Sequence, residues 1–256
     1  YVVSTIAASG SDIDCAGVIM NEDTQEKEVF GASACSPKVT VLDPTYTFSV
    51  PAKYTAAGTA DMMMHILEDY LYREGDSTLS NRMMEAVLKT MIENGPKALA
   101  DPEDYDARAN LMWAASLATS GMLCFGRGSG SATIHWIEGV VCGYYNTTHG
   151  EVLAQLLPVW MEHIICEKNV VAFSELATNV FGVIASEDLM DTARAGIEAV
   201  KHFFFEELKI PSKLSAGGVT QEYFKDIAKK AMSYPLTGGN VDLTEEDVYE
   251  ILTKAL

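Results

Sequence analysis

Asp61 and His65 stand four residues apart in a stretch with helical spacing. On a helix both side chains leave the same face, one turn apart, so a carboxylate and an imidazole could clasp one divalent ion. The same spacing also suits a plain Asp–His hydrogen bond, and alone it does not decide between the two. His135 and His149 bear on the choice, because the chain has only five histidines. Fourteen residues of unbroken helix would hold these two about 21 Å apart. Gly143 and the stretch Tyr145-Asn146-Thr147-Thr148 supply a helix stop and a turn, so the chain can double back and bring the rings together. One Asp and three His form a nitrogen and oxygen set suited to Fe(II) or Zn(II), with a position left for a substrate oxygen. Imidazoles coordinate only when neutral, so acid should weaken binding around the unperturbed value of about 6.5. His163 and His202 lie beside apolar residues without a partner at ligand spacing, and are read as core or surface histidines.

The elements that must position these residues follow from periodicity. The first fifty residues read as β. Tyr1–Ala7 is a short apolar run, Ala16–Met20 and Lys27–Gly31 flank the charged tip Asn21-Glu22-Asp23-Thr24, and Val39–Leu42 stops at Asp43-Pro44. From Pro51 onward the period becomes helical. Met63, Ile66, Leu67 and Tyr70 form one stripe of a helix over 60–72. Further helices are predicted near 79–93, 103–124, 132–143, 150–164, 170–182, 187–208, 220–232 and 245–254. Gly75, Gly95-Pro96, Gly217-Gly218 and Gly238-Gly239 punctuate between them. Thr244 before Glu245-Glu246-Asp247 is an N-cap with an acidic first turn, and Ser186-Glu187-Asp188 repeats the device. Two domains are expected: residues 1–51, a β part, and 52–256, all helical.

Composition narrows the function. Eighteen Lys+Arg against 36 Asp+Glu give a net charge of −18, which leaves no basic footprint for a nucleic-acid partner. The five scattered cysteines contain no CxxC pair and read as reduced core thiols of a cytoplasmic protein. No run is long and apolar enough for a membrane span. Tyr1-Val2-Val3-Ser4 carries neither a signal peptide nor an initiator Met, so the chain is expected to be part of a longer protein.

Ala57-Gly58-Thr59-Ala60-Asp61-Met62-Met63-Met64-His65-Ile66-Leu67-Glu68-Asp69-Tyr70 resembles the first metal motif of the iron-containing alcohol dehydrogenases. His135-Trp136-Ile137-Glu138, through Tyr144-Tyr145-Asn146-Thr147-Thr148-His149-Gly150 to Pro158-Val159-Trp160-Met161, resembles the second, in the butanol-dehydrogenase-like branch. Arg108–Ala115 and Leu243–Val248 match further helices of that branch. The resemblance implies a mainly α, dehydroquinate-synthase-like helical domain preceded by a short β segment left from an α/β nucleotide-binding domain. It implies Asp61, His65, His135 and His149 as ligands of one ion, NAD or NADP as cofactor, a small alcohol or aldehyde as substrate, and a homodimer. Carried over residue by residue, it places Thr5, Ile6, Ser9, Asp14, Lys27 and Thr47 at cofactor-contacting positions.

Two departures stand out. The Gly-rich phosphate loop of the family would precede Tyr1, so the 256 residues alone are expected to turn over little. The family's second His, four residues after the first on the same helix, is here Gly139, and its Asp-Trp pair is replaced near Ser131-Ala132. The metal ligands are intact, while the usual proton path is not. Two alternatives stay open: a metal-dependent hydrolase, since a helical Asp/His cluster can also activate water, and a family member impaired by Gly139, with Glu138 or an ordered water standing in.

Overall fold

A computed structural model describes residues 1–21, 23–24, 26–73, 75, 77–128 and 132–256. Its centre is helix α1 (Ala52–Leu71). The apolar stripe read from the sequence is only part of the truth, because this helix is buried on nearly every side. From Thr55 to Leu71 every residue is buried except His65 and Asp69. A helix apolar all round belongs inside a bundle, and α1 packs against α2 (Thr78–Ala100), α3 (Tyr105–Thr119) and α5 (His149–Ile164). Helix α4 (Thr133–Tyr145) lies against α5. Helices α6 (Val170–Asn179) and α7 (Leu189–Lys201) form a packed pair, and α8 (Phe224–Ala231) and α9 (Glu245–Ala255) close the body.

Local chemistry explains most boundaries. Ser77, Asp104 and Asp188 each accept a backbone N–H at a helix start, and Thr244 and Asp247 form a reciprocal capping box for α9. The predicted break at Gly95-Pro96 is absent, and α2 runs through both residues. Gly95 is there for closeness: a β-carbon on it would lie 2.9 Å from Thr59 Cγ2 of α1 and 3.2 Å from Leu208 Cδ2. The predicted helix 103–124 ends at Thr119, and a left-handed Gly121 leads into a short 3-10 turn over Met122–Cys124. Helix α7 does not reach 208 as an α-helix. It widens into a π-helical turn over His202–Glu207, where Leu208 N–H donates to the Phe203 carbonyl. The wider turn accompanies burial of both Phe203 and Phe204.

The N-terminal segment carries two small sheets. Strand β1 (Val2–Val3) pairs in parallel with β4 (Thr40–Val41). Strands β2 (Ala16–Asn21) and β3 (Glu26–Gly31) form an antiparallel hairpin, with Met20 opposite Lys27. Of the expected hairpin tip, Glu22 lies outside the described residues, as does Ser131 of the Ser131-Ala132 replacement. Strand β3 rests against α4, which brings Lys27 to the ligand-bearing helices. Among the described residues no helix is long and apolar enough to cross a membrane.

Candidate metal centre

Two close fits in the backbone set the site. Helix α4 continues through Gly143 to Tyr145, so the stop is not the glycine. Asn146 in the left-handed conformation (φ 49°, ψ 48°) ends the helix, its N–H donating to the Cys142 carbonyl. Three residues later α5 begins at His149 itself, with Thr148 as N-cap. Gly150 then lies directly on α1: a β-carbon there would overlap the Ala57 carbonyl. That contact sets the first turn of α5, and His149 with it, against the helix that carries Asp61.

Asp61, His65 and His135 place ligand atoms within 4.8 Å of one another, and His149 approaches the same Asp61 oxygen from α5. Asp61 Oδ1 lies 3.6 Å from His65 Nε2, 3.6 Å from His135 Nε2 and 3.3 Å from His149 Nε2. The rings of His65 and His135 stack at 4.8 Å, and those of His135 and His149 lie 5.5 Å apart, tilted. Two ligands each about 2.1 Å from one ion at a tetrahedral angle sit about 3.4 Å apart, so these separations match a shared cation. Asp61 Oδ1 and His135 Nε2 are buried without a hydrogen-bond partner, and buried polar atoms rarely go unpaired. The donor set and its orphaned atoms fit a divalent ion.

Two carboxylates stand behind the imidazoles. Glu68, one turn beyond His65 on α1, pairs its Oε2 with His135 Nδ1 and accepts the Ile134 N–H on Oε1 at 2.5 Å. Glu138 Oε2 lies 2.5 Å from His149 Nδ1 and 2.9 Å from Lys27 Nζ. Each partner turns the other ring nitrogen of its histidine toward Asp61, as in carboxylate–histidine–metal arrangements. Neither role was read from the sequence, although spacing offered a signal: Glu68 follows His65 by three residues and Glu138 follows His135 by three, each pair on one helix face. The buried Glu138 side chain is committed to His149 and Lys27.

Environment drives the three imidazoles apart. Burial pushes His65 down to about 4, assisted by the neighbouring histidines and opposed by Asp61. Burial acts the same way on His135, but the charges of Glu68 and Asp61 outweigh it and carry the ring up to about 10. At His149 burial is likewise overcome, by Glu138 and Asp61, giving about 9. Asp61 is fully enclosed, which would favour its acid form, yet the neighbouring imidazoles of His135, His149 and His65 hold it far below the ordinary carboxylate range. Without an ion, two of the rings therefore hold protons at neutral pH.

The ligands face a cleft of about 940 Å³ between the hairpin and the bundle. Ser9, Asp14 and Lys27 line it together with His65, His135 and His149. Thr5 is exposed, Ile6 lies at a separate small pocket, and Thr47 is buried with its hydroxyl donating to the Pro44 carbonyl. The structure thus gathers three of the six expected cofactor residues at the metal cleft, and the other three lie outside it. Gly139 lines the cleft, as does Trp136, whose ring stacks on Tyr234 at 4.7 Å and nearly parallel to it. His163 and His202 are elsewhere, His163 bound to Asp247 at 2.8 Å.

The description "Fe-containing alcohol dehydrogenase family, C-terminal" matches residues 55–256, and the chain belongs to that family. It is 40% identical to NADH-dependent butanol dehydrogenase B of Clostridium acetobutylicum over 99% of this chain and 65% of that protein. It is 33% identical to the NADPH-dependent aldehyde reductase YqhD of Escherichia coli, over 94% and 62% respectively. Among solved structures, NADH-dependent butanol dehydrogenase A of Thermotoga maritima superposes with a TM-score of 0.91 at 33% identity, covering 99% of this chain and 65% of that one. The chain thus spans about 65% of the length of these butanol dehydrogenases. The mainly helical fold expected from the sequence is the one found.

Proposed function

We propose that this chain is the metal-holding part of an NAD(P)-dependent alcohol dehydrogenase or aldehyde reductase. The observation that carries the reading is the convergence of Asp61, His65, His135 and His149 around one buried, unpartnered carboxylate oxygen at the floor of a large cleft. When bound, a divalent ion such as Fe(II) or Zn(II) supplies a Lewis acid for the substrate oxygen, and the nicotinamide supplies the redox equivalents. The chain's own residues hold and orient. Glu68 and Glu138 fix the rings of His135 and His149, and the Trp136–Tyr234 stack walls the cleft against water. Residues 1–51 are proposed as the end of a cofactor-binding domain, with Ser9, Asp14 and Lys27 nearest the reacting end and Thr5, Ile6 and Thr47 further off. Residues 52–256 form the metal-binding domain. Small alcohols or aldehydes are the proposed substrates, in keeping with the names of the relatives. A cytoplasmic homodimer is the proposed working form.

Catalysis is proposed for the whole protein, and the 256 residues alone are expected to bind metal yet turn over little. The test is an assay of the full-length protein, loaded with Fe(II) or Zn(II), against butyraldehyde with NADH or NADPH and against a phosphoester. Metal-dependent consumption of the reduced nicotinamide is expected. Phosphoester cleavage without aldehyde reduction would overturn the reading in favour of a hydrolase. Introducing Gly139→His in that protein asks whether the missing imidazole limits the rate.

A further inference from the structure

Lys27 joins the hairpin to the residues of the metal centre. Lys27 leaves β3 and crosses to α4, where its Nζ lies 2.9 Å from Glu138 Oε2 and 3.3 Å from His149 Nδ1. The Glu138 side chain is wholly enclosed and places both partners on one oxygen. A buried carboxylate needs such compensation. With Nδ1 held by Glu138, the Nε2 of His149 faces Asp61 Oδ1, free to coordinate. The stem of Lys27 runs past Gly139: a β-carbon built there would meet only Lys27 Cδ, at 3.8 Å. That is ordinary van der Waals contact, so the lysine stem lies beside Gly139 without being displaced by a β-carbon there.

We propose that Lys27 is a positioning residue of the metal centre. Its ammonium fixes Glu138, and Glu138 fixes the ring of His149. Metal occupancy and the seating of the hairpin on α4 are thereby coupled. This rests on the four-ligand reading of the site given above.

The test is a competition titration of the 256-residue chain with Zn(II) against a chromophoric chelator at neutral pH, paired with hydrogen exchange of the hairpin amides. Lys27→Met should weaken Zn(II) binding by roughly 10–100-fold, the usual range for a group that orients a ligand. Lys27→Arg should restore most of it. Lys53→Met, which removes a surface pair with Glu151, should change nothing. Zn(II) should slow exchange along β2 and β3 in the unaltered chain but not in Lys27→Met. The proposal is overturned if Lys27→Met binds Zn(II) as tightly as the parent while His149→Ala does not, or if Zn(II) leaves hairpin exchange unchanged in the unaltered chain. Undiminished binding by His149→Ala would instead bring down the four-ligand reading itself.

Discussion

His135 and His163 each sit between two carboxylates, and the two settings differ in kind. His163 of α5 has Asp247 Oδ1 2.8 Å from Nε2 and Glu250 4.0 Å from Nδ1. His135 of α4 has Glu68 on one nitrogen and Asp61 near the other. The lists of partners look alike, but the surroundings differ. Asp247 and Glu250 are partly open to solvent, and Asp247 is already spent on capping α9. Asp61 is buried with an oxygen that nothing in the protein satisfies, and three imidazole nitrogens surround it. A histidine–carboxylate pair is thus a common structural fitting. A convergent, desolvated and unsatisfied one is a place for a cation.

The largest effect should separate the two clusters outright. His149→Ala is expected to abolish tight Zn(II) or Fe(II) binding in a competition titration, and His163→Ala to leave it intact. A ligand that binds only the folded state adds about 2.7 kcal/mol at a hundredfold excess over Kd, roughly 5–10 °C in melting temperature for a chain of this size. Calorimetry should show that rise in the parent and in His163→Ala, and none in His149→Ala. Equal affinity in all three would erase the contrast.

Next in size is the support behind the ligands. Glu68→Gln keeps every ligand but removes the charge facing His135, and affinity should fall roughly 10–100-fold. A change below twofold would mean that the backbone alone orients the ring.

Acidity sharpens the comparison further. Binding an ion must displace the protons on His135 and His149, raised to about 10 and about 9. Affinity for Zn(II) should therefore keep climbing as pH rises from 7 toward 9, well past the 6.5 of a free imidazole. The stability of the metal-free chain should move the other way. A raised folded-state value contributes stability that is complete below the unfolded value of about 6.5 and is lost as pH climbs through about 9 to 10. Denaturant midpoints across that range, with and without Zn(II), check both signs, and an affinity that levels off at pH 7 would contradict the first.

The smallest effect falls on the surface cluster. Thr244→Ala removes one arm of the capping box and should cost about 1 kcal/mol, read as a shift in denaturant midpoint, with metal affinity unmoved.

The candidate ligands were legible because histidine is scarce here and because the Asp61–His65 spacing survives any error in helix boundaries. Burial of α1 on all sides was not, since a single apolar stripe already satisfies the helical pattern and small residues such as Ala56, Ala57 and Gly58 carry little periodic signal. Gly95-Pro96 read as a break because proline usually ends a helix, whereas the need here is for closeness to Thr59, a fact of tertiary structure. The stop after α4 was placed on the right stretch but on the wrong residue, because Gly143 and Asn146 both tolerate a left-handed turn and only the helix length decides between them. Glu68 and Glu138 were in plain view within the quoted motifs. Their partners are ring nitrogens that sequence cannot orient. The π-helical turn at His202–Glu207 has no sequence signature beyond three consecutive phenylalanines.

The spread of the ligands along the chain bears on time as well as on equilibrium. Asp61 and His65 share one helix, while His135 comes 70 residues after His65. Closing a loop of that length in an unfolded chain costs roughly 4 kcal/mol of entropy, so the disordered protein offers an ion at most a loose two-point grip. The complete cage exists only after α4 and α5 have docked on α1. An ion held this way should act as a late rivet, lengthening the lifetime of the folded protein by slowing its unfolding and leaving the folding rate nearly unchanged. Stopped-flow traces that showed zinc accelerating folding instead would place the cage early on the path.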